Sequence, residues 1–435
     1  MKHNVLAACC GALIAAPAVA QTDFNPQISL IFDAVYYQDS EDGAGSELLA
    51  EIPGINSSGG HEHEHDHEEE GDNHDEGHGH SHGLEEGFNL REQELTLSAS
   101  IDNYFDGFAV IAVSEDETEI EEAYFTTRSL PAGLTLKGGK FFSGIGYHNA
   151  KHVHTWDFVD QNLAYGALLG DHGLVDKGLQ LTWLPDAPLY TLVGVEWLQG
   201  SEQERFGRVQ EEPEEELNFD ETESGPKLAT FFVKLAPDLG DDHALQVGAW
   251  FAQAKEDQAV LLHEHHEEHG EEEHEEEEEH EEAEELGLQG DADMWGLDLI
   301  YKFDNPGAYG VGDIIIQSEY LVQNKDWKIT NGDEAGESVS GKQDGFYVQS
   351  TYGIAPRWKA GLRYDSTGMT NELKLPDETE ELEETDRITG VVTWYPTEFS
   401  FVRLQYGTAD VAGESVDQLY LQFNYSLGAH GAHKF

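Results

Sequence analysis

The sequence predicts an all-β protein, a closed antiparallel transmembrane β-barrel of about sixteen strands with long external loops. Three observations carry this: segments of about ten residues with two-residue alternation, an even count of such segments, and connections that alternate between compact and long. The clearest segment is QLYLQFNYSLGA at 418–429. Leu421, Phe423, Tyr425, Leu427 and Ala429 fall on one face, and Gln418, Tyr420, Gln422, Asn424 and Ser426 on the other. Trp358, Ala360, Leu362 and Tyr364 likewise alternate with Lys359, Gly361, Arg363 and Asp365. One face suits lipid and the other a wet lumen.

The chain opens with a short basic start, an apolar stretch from Val5 to Ala16 and Ala-Val-Ala before Gln21, which reads as a secretory signal peptide over 1–20. Both cysteines, Cys9 and Cys10, lie inside it, so the mature chain at 21–435 offers metals only His, Asp and Glu. The net charge of −65 excludes a nucleic-acid partner and favours cations. After the leader, no apolar run approaches the roughly 18 residues a membrane helix needs.

Sixteen candidate strands start near residues 27, 89, 107, 118, 133, 174, 188, 227, 243, 292, 312, 343, 357, 385, 398 and 417. An even number lets an antiparallel barrel close and removes the unpaired edges that lipid forbids. Connections after even-numbered strands are compact and carry turn residues, as in SLPAG at 129–133, LPDAP at 184–188 and GIAPR at 353–357. Those after odd-numbered strands hold the long insertions at 38–87, 143–173, 199–226, 257–290, 324–342 and 368–384. With the N-terminus in the periplasm, these insertions face outward, at the surface of a Gram-negative outer membrane. A terminal Phe435 after an alternating strand matches the address read by the outer-membrane assembly machinery, and outer-membrane lipid and lipopolysaccharide are then the surrounding partners.

Two insertions, near 40–87 and 257–290, carry histidine runs and are expected to be disordered. HEHEHDHEEEGDNHDEGHGHSH places His61, His63, His65, His67, His74, His78, His80 and His82 among nine carboxylates, with no apolar side chain to order them. HEHHEEHGEEEHEEEEEHEEAEE adds His263, His265, His266, His269, His274 and His280 among fifteen glutamates. A polyanionic brush alone would not need imidazoles, which are largely neutral at pH 7 and free to coordinate borderline divalent metals. Many interchangeable weak sites are expected, with zinc as the first candidate and copper or nickel as alternatives. No tightly bound cofactor is expected, and the metal is a transported ligand.

The third external connection, FFSGIGYHNAKHVHTWDFVDQNLAYGALLGDHG, is rich in apolar and aromatic residues for an exposed connection and is expected to fold inward, narrowing the lumen. Its His148, His152, His154 and His172, with Asp157 and Asp160, either form a metal-selective constriction or hydrogen-bond the loop to the wall. Both readings stay open at this stage.

The third-loop block extended through LVDKGLQLTWL, together with PRWKAGLRYD and QLYLQFNYSLGAHGAHKF, resembles the zinc-regulated outer-membrane proteins of Gram-negative bacteria. These are porin-like, similar in architecture to phosphate-selective porins, and often labelled zinc-regulated TonB-dependent outer membrane receptors. The resemblance implies a role in zinc acquisition. The expected function is therefore an outer-membrane porin-like channel for divalent metal, zinc first, whose histidine-rich loops capture the ion. A TonB-dependent zinc receptor, a general porin and a surface metal sequestrant are the alternatives, and a homotrimer is one expected assembly. No nucleophile–base constellation stands out, so an enzyme is not expected.

Overall fold

A computed structural model of the protein describes residues 26–428, apart from 42–44, 51, 53, 56–83, 115–117, 202–204, 208–216, 220–224, 264–283, 333 and 377. The signal peptide, Phe435, the whole first histidine run and all of the second beyond His263 up to 283 lie outside the described residues.

Strands follow one another as β1 (Gln27–Asp39), β2 (Gly87–Leu90), β3 (Gln93–Ser100), β4 (Phe105–Val113), β5 (Thr118–Thr127), β6 (Leu134–Phe142), β7 (Val175–Trp183), β8 (Tyr190–Leu198) and β9 (Leu228–Ala236). They continue as β10 (His243–His263), β11 (Glu284–Phe303), β12 (Ile314–Ile329), β13 (Ser338–Ala355), β14 (Trp358–Lys374), β15 (Thr379–Glu381), β16 (Thr385–Thr397), β17 (Ser400–Val411) and β18 (Glu414–Gly428). Each pairs antiparallel with its neighbours, and β1 closes the ring against both β18 and β3. The short β2 continues β3 beyond Arg91 and Glu92 on the same partner β1, and the three-residue β15 is a flap on β14. Without those two, sixteen strands form a closed barrel, the number the alternation predicts.

The barrel is apolar outside and polar inside. Leu362 is 60% exposed on the outer face, whereas the adjacent Arg363 is 2% exposed and Asp365 is fully buried. Along β18, Leu419, Phe423, Tyr425 and Leu427 point outward while Gln418, Gln422 and Asn424 are buried inside. Lipid acts as the apolar solvent for the first set, and the lumen supplies hydrogen-bond partners for the second.

One rim carries tight turns. At Gly133 (φ +76) an added Cβ would fall 1.9 Å from the Leu184 carbonyl oxygen, so the turn into β6 requires glycine. The opposite rim carries the long connections, and there the structure departs from the expected boundaries. Strands β6 to β9 have nine residues each, about what a tilted crossing needs, but β10 and β11 have 21 and 20. The segments 257–263 and 284–290, expected within a disordered loop, are paired strand from Asp257↔Gly290 to His263↔Glu284. Much of 324–342 and 368–384 is strand as well. The reason is a second apolar cluster beyond the membrane, formed by Leu286, Leu288, Trp327, Ile329, Val339 and Leu373 with Ile55. It gives the extended hairpins something to bury. Asp257 ties them together, accepting hydrogen bonds from Gly207 N (2.7 Å) and Trp327 Nε1 (2.8 Å) and pairing with Lys325 Nζ at 3.1 Å.

The first long connection is also partly folded. Gly45–Ala50 is a short helix, and the following Ile52 enters the main apolar cluster inside the barrel, so the expected disorder does not extend over 45–50. The apolar residues Leu49, Ile52 and Ile55 explain this, since each is drawn into one of the two clusters.

Candidate constriction and metal site

The connection 143–174 leaves β6 at Phe142, crosses the lumen and returns at Val175. Its helix, Leu163–Leu169, starts at Asn162, whose side chain accepts from Tyr165 N at 3.0 Å. Six of the seven helical residues are buried, packed with Phe232, Trp250, Met294, Leu321 and Tyr347. This apolar content is why the connection leaves the surface.

Polar contacts fasten the same segment to inward side chains around the wall. Glu319 of β12 accepts from His148 N (2.7 Å), Tyr165 OH (2.9 Å), Tyr347 OH (2.7 Å) and, at 3.3 Å, Tyr147 N. Asp365 of β14 accepts from Leu163 N at 2.8 Å. Arg403 of β17 donates to the carbonyls of Phe158 and Trp156 at 3.1 and 2.8 Å. Asp160 is gripped by Arg363 through both carboxylate oxygens (2.9 and 3.0 Å) and by Arg387 at 2.6 Å. Burial alone would push the Asp160 carboxyl up, but the two guanidinium groups outweigh it and hold it below the usual range.

At the tip, consecutive residues address opposite walls. Lys151 Nζ lies 3.3 Å from Gln317 of β12, while His152 faces β3 and β5, seven strands away around the ring from β12. His152 Nδ1 is 3.1 Å from Glu121 Oε2 and 3.3 Å from Glu94 Oε2, and its Nε2 is 2.9 Å from Glu122 Oε2. His154 Nδ1 is 2.7 Å from Glu94 Oε1. Burial by itself would lower the His152 pKa, but contacts to Glu121, Glu122 and Glu94 raise it well above the ordinary value. One imidazolium thus faces three buried carboxylates. Glu94, Glu121 and His152 offer three ligand atoms within 4.8 Å of one another, a spacing that suits a metal ion.

The four histidines expected together are separated. His152 and His154 meet in the carboxylate cluster. His172 stands apart, with Nδ1 3.9 Å from Glu92 Oε1. His148 is not a ligand candidate: it is wedged against Trp156, Tyr165 and Tyr347, with Nε2 2.6 Å from Gln161 Oε1. Burial and the Lys151 charge push its pKa down to about 3, so it stays neutral. Asp157 and Asp160 are also taken, by Lys359 (3.4 Å) and by the arginines. The loop residues divide between two settings: Asp160 and His148 brace the loop, while His152 and His154 meet the acidic wall.

The sequence reading missed Glu94, Glu121 and Glu122. The signal was a break in alternation: successive residues of a strand should face opposite sides, yet Glu121 and Glu122 are both buried inside. A register shift in the β4–β5 pairing, where Val110 meets Glu122 and Ile111 meets Ile120, leaves Glu121 as a bulged residue and turns both carboxylates inward. Basic residues, though scarce in the whole chain, also concentrate inside, as Arg363, Arg387, Arg403 and Lys325 show.

The buried, neutral His148 makes the inserted loop acid-sensitive. Its folded pKa lies below the ordinary value near 6.5, so the stability it permits is present above that pH and is lost as pH falls from about 6.5 to about 3. The loss should total on the order of 5 kcal/mol. Thermal unfolding midpoints measured over this range should fall, and H148Q should show a shallower slope.

No protein-family model matches the chain. Over 426 residues it is 34% identical to an uncharacterized protein of Aquifex aeolicus, covering 96% of this chain and 81% of that one. The chain belongs to that protein's family. Among solved structures, the in-vitro folded trimer form of OmpT, an outer membrane protein of Vibrio cholerae, superposes with a TM-score of 0.52 at 10% identity, covering 93% of this chain and 99% of that one. An anion-selective porin from Comamonas acidovorans gives 0.50 at 9% identity, with coverage of 93% and 99%. These likenesses show a shared fold, that of outer-membrane porins of Gram-negative bacteria.

Proposed function

We propose that the protein is a porin-like outer-membrane channel that admits divalent metal ions, zinc foremost, and that its histidine-rich connections collect the ion at the cell surface. The observation that carries this reading is the meeting of His152 and His154 with Glu94, Glu121 and Glu122 on the loop that crosses the lumen. An ion entering a narrow passage sheds water, and carboxylate and imidazole groups replace it. Imidazole favours zinc, copper and nickel over calcium or magnesium. The −65 net charge adds an attractive field for cations, strongest at low salt. Assembly as a homotrimer embedded in outer-membrane lipid and lipopolysaccharide completes the proposal.

One observation favours a general porin instead. Lys359 and Arg403 face the same lumen and would attract anions. Uptake by liposomes carrying the purified protein separates the two. Zinc entry without any partner protein, faster than phosphate entry, is the expected result, whereas equal entry of zinc, potassium and phosphate would establish the general porin. Strict dependence of zinc uptake on TonB in cells would establish the receptor alternative.

Removal of residues 61–82 and 264–283 should leave heat-modifiable migration on gels intact, because the described strands close the barrel through residues outside both runs. Zinc stoichiometry by calorimetry should fall by several ions. An unchanged stoichiometry would leave these runs as a solvated brush.

A further inference from the structure

We infer that Glu94, Glu121 and His152 form a single divalent-metal site joining the loop to the wall, and that its occupancy latches the constriction. This rests on the divalent-metal reading above and assigns that metal a regulatory position.

The spacing is that of a coordination shell. Zinc bonds to nitrogen and oxygen of about 2.0–2.1 Å in a tetrahedron place neighbouring ligand atoms about 3.3–3.4 Å apart. His152 Nδ1 lies 3.1 Å from Glu121 Oε2 and 3.3 Å from Glu94 Oε2. All three ligand atoms lie within 4.8 Å of one another, so a closing of the cluster around the ion completes the shell. A second observation points into the same spot: Glu94 is 2% exposed, and its Oε2 makes no well-formed hydrogen bond, its partner being the His152 Nδ1 ion-pair contact at 3.3 Å. A buried carboxylate oxygen held by one long contact is costly, and a cation bound to it lowers the cost.

The surrounding groups orient the ligands as metal sites require. His152 Nε2 faces Glu122 Oε2 at 2.9 Å, which fixes the ring and leaves Nδ1 for the metal. His154 holds the other Glu94 oxygen at 2.7 Å. When the ion binds, the proton on Nδ1 departs to solvent while the other proton stays on Nε2, donated to Glu122 Oε2. Two carboxylates and one imidazole then balance a dication and leave a fourth position for water.

The latch follows from where the ligands sit. Glu94 and Glu121 belong to β3 and β5, and His152 to the loop tip. On either side of the tip the loop is already fixed, by Glu319 at Tyr147 and His148 and by Arg403 at Trp156 and Phe158. Between them, 149–155 reaches the β3–β5 wall through His152 and His154, so a metal there would turn an ion-pair contact into a coordinate cross-link.

The test uses the full chain in detergent, with zinc as the probe. Anomalous diffraction from zinc-soaked crystals reads the site, and peptide-resolved amide exchange over 150–156 reads the latch. The expected result is a zinc peak between Glu94, Glu121 and His152, and exchange slowed at least tenfold by zinc in the wild type but not in E94Q. Should E94Q fail to fold, as judged by heat-modifiable migration, E121Q serves the same purpose. A peak with unchanged exchange would overturn the latch and leave the divalent-metal channel standing. Absence of a peak at zinc concentrations that saturate the wild-type protein in calorimetry would overturn the site itself.

Discussion

Replacing His152 and His154 together by alanine is expected to lower zinc conductance at least tenfold while leaving potassium conductance equal or larger. Both imidazoles contact carboxylates of the wall, His152 through Glu94, Glu121 and Glu122 and His154 through Glu94. Without them the cluster keeps its negative charge, which still attracts any cation, but loses the nitrogen ligands that distinguish zinc from potassium. The loop itself should stay in place, because Glu319, Arg363, Arg387 and Arg403 hold it independently of the tip. Single-channel recording in planar bilayers checks this. If zinc and potassium conductance rose together, the two histidines would be braces.

The opposite outcome is expected from Arg363→Met. Arg363 is 2% exposed and donates to Asp365 through Nε at 2.9 Å, to both Asp160 oxygens, and to the Asp160 carbonyl at 3.1 Å. Removing it leaves Asp160 and Asp365 to share Arg387, with part of a buried charge uncompensated. Breaking such a network costs about 3–5 kcal/mol, enough to detach the loop without opening the backbone ladder of the barrel. Conductance to all ions should rise together, and proteolysis within 143–174 should accelerate. Arg363→Lys should rescue little, because a point ammonium cannot reproduce the forked grip on Asp160. Unchanged conductance in Arg363→Met would mean that the apolar packing of Leu163–Leu169 alone retains the loop.

The barrel was legible because lipid enforces a two-residue period on each crossing, and Leu362 beside Arg363 or Phe423 beside Gln422 displays it directly. The strand extensions were less legible. Leu286 and Leu288 sit beside a glutamate run, and only their packing on Trp327 and Ile329, more than thirty residues away in sequence, makes them strand. Within the third loop, His148 and His152 look alike in sequence, yet a cage of aromatic rings keeps one neutral and three carboxylates charge the other. Those carboxylates come from β3 and β5, and the inward turn of both Glu121 and Glu122 depends on a bulge that local sequence marks only as two adjacent glutamates.

The central claim is that the passage prefers divalent zinc because of the carboxylate–imidazole cluster. It is tested most directly by the reversal potential across a planar bilayer under a zinc chloride gradient, in wild type and in E94Q/E121Q. The account predicts a potential of the sign set by zinc over chloride in the wild type, moving toward zero in the variant. A wild-type potential set by chloride, or one that the double substitution leaves unmoved, would contradict it.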